Sequence, residues 1–178
     1  MSDPSGDPSA GLPRYALYYA PRTEEALAMA ASRWLGRNAE TGEARDLLPV
    51  SGVLYERLSA IVADPRLYGL HGTLKPPMSL VEGATERDLL DAAGSFAAAQ
   101  RQIDVPALAL AELTDFLALV PAGRCAALQD FSDRCVVEFD EFRRPAGEAE
   151  LVRRRAAGLT QRQEDLLLRW GYPYLLEQ

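Results

Sequence analysis

Strand-like segments in this chain are separated by unequal numbers of helix-like segments, and this irregular order is the strongest constraint on the fold. Residues 14–21 (RYALYYAP) are aromatic-rich and predict a first strand. Residues 66–77 (RLYGLHGTLKPP) predict a second strand that ends at Pro76 and Pro77. Because single helices do not alternate with strands, we predict an α+β fold with mostly antiparallel sheets and flanking helices.

The remaining segments carry helical spacing or turn signals. Residues 103–123 predict a hairpin that turns near Thr114 and Asp115. Capping patterns place Thr85 and Thr160 at helix starts. Helices are predicted over 23–37 with Thr23 as N-cap, 53–65, 85–102, 124–145, 148–157 and 159–171. Core positions are predicted for Trp34, Trp170, Cys125 and Cys135.

Composition narrows the class of protein. We expect residues 1–12, rich in Ser, Pro, Gly and Asp, to form a disordered tail and residues 13–178 to form a single domain. No apolar run is long enough to span a bilayer, so we expect a cytoplasmic protein without a membrane partner. The net charge of −7 argues against extended nucleic-acid binding. One histidine and two cysteines ten residues apart argue against a zinc site, and no cofactor is expected.

The chain's only histidine and only lysine lie together in residues 70–75 (LHGTLK). In a strand, side chains alternate between faces, so His71, Thr73 and Lys75 would share one face. An imidazole suits proton transfer, while a hydroxyl and an ammonium suit phosphoryl oxygens. The row therefore predicts phosphoester chemistry. The alternative is a half-buried histidine with a satisfied ring nitrogen beside a solvated lysine.

Several segments beyond this row together resemble the phosphonate-metabolism protein family of the two-histidine (2H) phosphoesterase superfamily. They occur in the family's order and are RYALYYAP, WLGR, PRLYGLHGTLKPP, DFLALVP, EFRRP and RRRAAGLTQRQEDLLLRWGYPY. The resemblance implies two α+β lobes, each with a His-x-Thr or His-x-Ser strand. It also implies metal-free hydrolysis of a small cyclic phosphate, in which one imidazole acts as base and the other as acid.

Carried onto this chain, the resemblance makes His71 and Thr73 the catalytic pair of the first lobe. Lys75, Tyr68, Tyr18 and Arg143 are the candidate substrate-binding residues. In the family a segment like GYPYLLEQ precedes the second motif, and the sequence ends before such a motif. We therefore expect an incomplete second lobe, impaired activity, and self-association through an open sheet edge. A non-catalytic module that binds a phosphorylated metabolite or a nucleotide end is the alternative.

Overall fold

The computed structural model describes residues 11–113, 116–156 and 158–176. Contacts divide the chain into two compact units. The first unit is Leu17–Leu74, and the second holds the rest of the described residues. Helices and two small sheets are present, which confirms the predicted α+β class. The predicted tail falls mainly on residues 1–10, outside the described ranges.

The elements follow one another in the predicted irregular order. The strands are β1 (Tyr15–Tyr19), β2 (Gly72–Met78), β3 (Leu108–Leu113) and β4 (Phe116–Pro121). The helices are α1 (Ala26–Leu35), α2 (Tyr55–Ile61), α3 (Pro65–Tyr68), α4 (Glu86–Ala98), α5 (Ala126–Glu138), α6 (Glu148–Arg155) and α7 (Gln161–Trp170), with a 3₁₀ turn at Phe139–Phe142. Among the described residues, no helix combines the length and apolar character needed to cross a membrane.

Each sheet has two strands in the described part of the chain. Strand β1 pairs with β2, and each strand contributes residues to both units. The prediction that Pro76 and Pro77 end β2 is wrong, because the strand continues to Met78. A two-stranded sheet leaves each strand one edge without ladder bonds, and proline is tolerated on such an edge. The predicted hairpin is confirmed as the antiparallel pair β3 and β4, while its turn at 114–115 lies outside the described residues.

In the first unit, the core is built by Leu35, Leu58 and Val62. The helix predicted within 53–65 is α2, which ends before Pro65 as expected. The strand predicted over 66–77 is wrong at its start, since Pro65 opens the short helix α3. Proline suits a first helical position, where its missing N–H is not needed. The core prediction for Trp34 is also wrong: this side chain is 38% exposed, and the neighbouring Leu35 is buried instead.

In the second unit, both predicted N-caps are confirmed, and each forms a capping box. Thr85 caps α4 with Asp88, and Thr160 caps α7 with Gln163. In the first unit, by contrast, the N-cap prediction for α1 is wrong, because Glu25 rather than Thr23 is the N-cap residue. The buried apolar side chains of this unit are Met78, Leu89, Cys135, Val136, Phe139, Leu167 and Trp170. The core prediction thus holds for Cys135 and Trp170, whereas Cys125 is only half-buried at the start of α5.

Candidate functional site

His71 lies directly before β2, in the loop that follows α3. Its Nδ1 is 3.0 Å from the carbonyl oxygen of Gly69. A carbonyl oxygen only accepts, so Nδ1 carries the hydrogen and donates it. In the neutral ring, this leaves the lone pair on Nε2. The side chain is partly exposed, and the imidazole is therefore oriented as a proton acceptor through Nε2.

Two tyrosines flank this imidazole. The ring centroid of Tyr18 lies 4.3 Å from that of His71, with a tilt of 40°. The ring of Tyr68 is 6.3 Å away on the same measure. Both are large side chains with substantial exposure, 41% for Tyr18 and 63% for Tyr68. The structure thus brings together three residues that the sequence proposed for one site.

Thr73 is the second residue of β2 and its side chain is exposed. It follows His71 by two positions, a spacing of about 6 to 7 Å along an extended chain. An exposed hydroxyl can donate to a phosphoryl oxygen and accept a hydrogen bond from a ligand hydroxyl. His71, Thr73, Tyr18 and Tyr68 all belong to the first unit, and we call these four residues the His71 cluster.

Lys75 does not share this exposure, although it continues the same alternation along β2. The side chain is 1% exposed, and Nζ donates to the backbone carbonyl of Val136 at 2.7 Å and to Oδ1 of Asp140 at 2.8 Å. The predicted solvent-facing ammonium is therefore corrected to a buried structural ion pair. Burying a charge is tolerated only when it is paired, and these two acceptors meet that need.

Arg143 belongs to the same buried network. Its Nε and Nη2 donate to the two carboxylate oxygens of Asp140 at 2.7 and 3.0 Å, and Nη2 also donates to the Arg169 carbonyl at 2.8 Å. The last bond reaches the C-terminal end of α7. Its side chain is 12% exposed, so the predicted phosphate-binding guanidinium is engaged inside the protein instead.

The network shifts the pKa values of Lys75 and Asp140. Burial lowers the pKa of Lys75, and the hydrogen bond and charge of Asp140 oppose that effect without reversing it. Burial would raise the pKa of Asp140, but hydrogen bonds from Arg143 and Lys75 outweigh burial and hold it below its usual range. The lowered pKa of Asp140 means that its carboxylate stays ionised between the cations of Lys75 and Arg143.

Sequence reasoning missed the two groups that bond Lys75 and His71, namely the Asp140 carboxylate and the Gly69 carbonyl. Asp140 has no spacing signal that links it to a lysine 65 positions earlier. Gly69 acts through its backbone carbonyl, which no motif records, although glycine two residues before the only histidine is a visible turn signal. Within the described ranges, no group of three or more His, Cys, Asp or Glu side chains could hold a metal ion.

Comparison with known families places the chain. A family model described as "Protein of unknown function (DUF1045)" matches residues 73–178, which is more than half of the sequence. The chain belongs to this family. The DUF1045 match begins at Thr73, so it contains the network of Lys75, Asp140 and Arg143 and begins two residues after His71.

Two curated relatives carry the name ribose 1,5-bisphosphate phosphokinase PhnN. The protein from Janthinobacterium sp. (strain Marseille) is 42% identical over 184 residues, covering 98% of this chain and 41% of the relative. The protein from Laribacter hongkongensis (strain HLHK9) is 31% identical over 164 residues, covering 92% of this chain and 37% of the relative. The chain thus spans about two fifths of the length of these relatives. No solved structure matches it significantly.

Proposed function

We propose that this DUF1045 protein is a 2H-type phosphoesterase-like protein that acts on a small cyclic phosphate linked to phosphonate metabolism, with impaired turnover in this form. The observation that carries the proposal is the hydrogen bond from His71 Nδ1 to the Gly69 carbonyl. It presents Nε2 as a base two positions before the exposed hydroxyl of Thr73. A base and a hydroxyl that can bind a phosphoryl oxygen, two residues apart, are two of the groups that this chemistry uses.

In the proposed reaction, a water oxygen attacks phosphorus and the bond from phosphorus to one ring oxygen breaks. Nε2 of His71 takes the proton from the attacking water, and the leaving oxygen takes a proton from solvent water. The hydroxyl of Thr73 binds a phosphoryl oxygen, and the phenols of Tyr18 and Tyr68 bind the substrate. The sequence holds a single histidine, so no second imidazole within these 178 residues protonates the leaving oxygen. A missing acid typically lowers the rate by about 10²- to 10⁴-fold.

The substrate class is supported by the names of the relatives. A ribose bisphosphate kinase handles phosphorylated ribose, and a small phosphorylated sugar fits a cluster of imidazole, hydroxyl and phenols. The kinase step itself we assign to the part of the relatives that this chain does not cover. Phosphate-binding loops of the type GxxxxGK[ST] need a lysine, and the only lysine here stands between Leu74 and Pro76 and is buried against Asp140.

A binding module is the second candidate, and the single histidine favours it. In that case Thr73 and the tyrosines would hold a phosphorylated metabolite or a nucleotide end without turnover. His71 could then be replaced with little loss of affinity. Replacing His71 therefore abolishes turnover if the protein is an enzyme, and leaves affinity nearly unchanged if it is a binding module.

One set of measurements separates them. Ring opening of a five-membered ribose cyclic phosphate is followed by ³¹P NMR, and affinity for the same compound is measured by calorimetry, in wild type, His71→Ala and Thr73→Val. Arg87→Met is the matched control, since Arg87 is exposed and forms an ion pair with Asp91 on α4. Turnover that His71→Ala abolishes supports catalysis. Binding without turnover, unchanged in His71→Ala and lost in Thr73→Val, supports the module, and neither binding nor turnover overturns both.

We also propose that a second copy of this chain packs on the hairpin of β3 and β4. One face of this hairpin, the leucine face, carries Leu108, Leu110, Leu117 and Leu119, which are 41 to 69% exposed. A two-stranded hairpin is only marginally stable in water, and a third strand or a covering layer is needed for stability. A two-fold copy supplies this layer with an identical apolar face. Among the described residues of β3 and β4, Glu112 is the one charged side chain; it lies on this same face opposite Leu117, and the rest of the face is apolar.

A further inference from the structure

The loop after α1 and the short helix α3 are joined by two arginines that exchange hydrogen bonds. Arg37 Nη1 donates to the carbonyls of Arg66 and Leu67, at 3.3 Å each. In return, Arg66 Nη2 donates to the carbonyl of Gly36 at 3.1 Å. The last carbonyls of a helix lack intrahelical partners, so a guanidinium at this point completes the end of α3. We call this pair of interactions the arginine exchange.

The loop on the Arg37 side is held in one shape by its own bonds. Asn38 is buried, and its Oδ1 accepts from the backbone N–H groups of Glu40 and Thr41. Backbone bonds from Asn38 to Glu43 and from Gly42 to Asn38 close the turn. Ala39 therefore lies on a fixed loop rather than on an adaptable one.

Gly69 fits between this loop and His71. Its φ of 75° and ψ of −177° belong to a region that only glycine enters readily. A Cβ on Gly69 would lie 2.5 Å from the Cβ of Ala39, so the backbone there packs directly on the fixed loop. The N–H of Gly69 donates to the Pro65 carbonyl at 3.0 Å, and its carbonyl accepts from His71.

We propose that Arg37 and Arg66 are positioning residues for His71. By holding α3 against the Ala39 loop, the arginine exchange fixes the direction of the Gly69 carbonyl. That carbonyl keeps the hydrogen of the neutral imidazole on Nδ1 and leaves Nε2 free to accept a proton. This inference rests on the proposed role of His71 as a base. The side chains of both arginines donate to backbone carbonyls, so their effect on the imidazole passes through the backbone of residues 66–69.

The chain suits a direct test because its single histidine gives one unambiguous set of ring signals. Long-range ¹H–¹⁵N correlation, at a pH where the ring is neutral, reports which nitrogen carries the hydrogen. In wild type we expect Nδ1 to give the signal of a protonated nitrogen and Nε2 that of an unprotonated one. In Arg37→Met we expect the two ¹⁵N shifts to converge, as they do when the tautomers interchange, with partial retention of the wild-type pattern in Arg37→Lys.

Arg45→Met is the matched control. Arg45 lies near the end of the same loop, and its side chain makes an exposed ion pair with Glu43 rather than a bond to α3. We expect wild-type ring signals from it. If Arg37→Met does not fold, as judged by circular dichroism, Arg66→Met and Arg37→Lys are read in the same way.

Two results overturn the inference: averaged tautomers in the wild-type protein, or wild-type ring signals in both Arg37→Met and Arg66→Met. The readout is independent of turnover. A fixed Nδ1–H tautomer in a protein that neither binds nor cleaves a cyclic phosphate removes the proposed function and leaves the positioning role standing.

Discussion

The ammonium of Lys75 lies 2.8 Å from the carboxylate of Asp140, with the lysine side chain 1% exposed. The only lysine of the chain is thus a structural cation that joins β2 to the 3₁₀ turn after α5. Arg143 donates to the same carboxylate and to the Arg169 carbonyl near the end of α7. Through Lys75 and Arg143, the Asp140 carboxylate joins β2, the 3₁₀ turn and α7. We therefore expect its loss to lower the stability of the protein more than its affinity for a ligand.

We expect Lys75→Met to lower the free energy of unfolding by about 3 kcal/mol, the lower end for breaking a buried pair, because Arg143 still neutralises Asp140. Urea unfolding at neutral pH measures the loss. Arg87→Met, which removes an exposed pair, should cost less than about 1 kcal/mol. Wild-type stability combined with weakened phosphate binding in Lys75→Met would contradict the structural role.

Acid should weaken the network around Asp140. The pKa of this carboxyl is lowered in the folded protein, so its contribution is fully present above the unfolded value of about 3.9. The contribution is lost as pH falls through the folded pKa, because the unfolded state binds the proton more tightly. The stability difference between wild type and Asp140→Asn should therefore shrink from pH 7 to pH 3 in urea unfolding. A difference that stays constant over this range would show that Asp140 is not the titrating group.

Gly69→Ala tests the close approach beside His71. The substitution combines backbone strain, about 1 to 3 kcal/mol, with the short contact to Ala39. We expect a clear fall in melting temperature. Gly72→Ala lies three residues along, has no positive φ and meets nothing within 4 Å, so it should stay near wild type. Equal melting temperatures for the two variants would remove the argument that Gly69 packs on the loop.

The leucine face of the hairpin predicts concentration-dependent association. Leu110 is 69% exposed, and Leu110→Glu should shift the molar mass towards the monomer by placing a carboxylate in the paired face. Light scattering coupled to gel filtration over a hundredfold range of concentration measures the shift. Leu168→Glu changes a similarly exposed leucine on α7 and should leave the association unchanged. A wild-type protein that stays monomeric over this whole range of concentration would contradict the proposal that a second copy packs on the hairpin.

Local sequence patterns predicted the class of fold, the order of its elements, and the N-caps at Thr85 and Thr160. These features depend on neighbours a few residues apart, which local patterns record. Those patterns did not predict that Lys75 is buried against Asp140, that Leu35 rather than Trp34 enters the core, or that the Gly69 carbonyl accepts a hydrogen bond from His71. The alternation of side chains along a strand predicts which face a residue lies on, but not whether that face is buried. Burial and pairing are set by whichever distant segments fold against that face, and no local spacing carries that information.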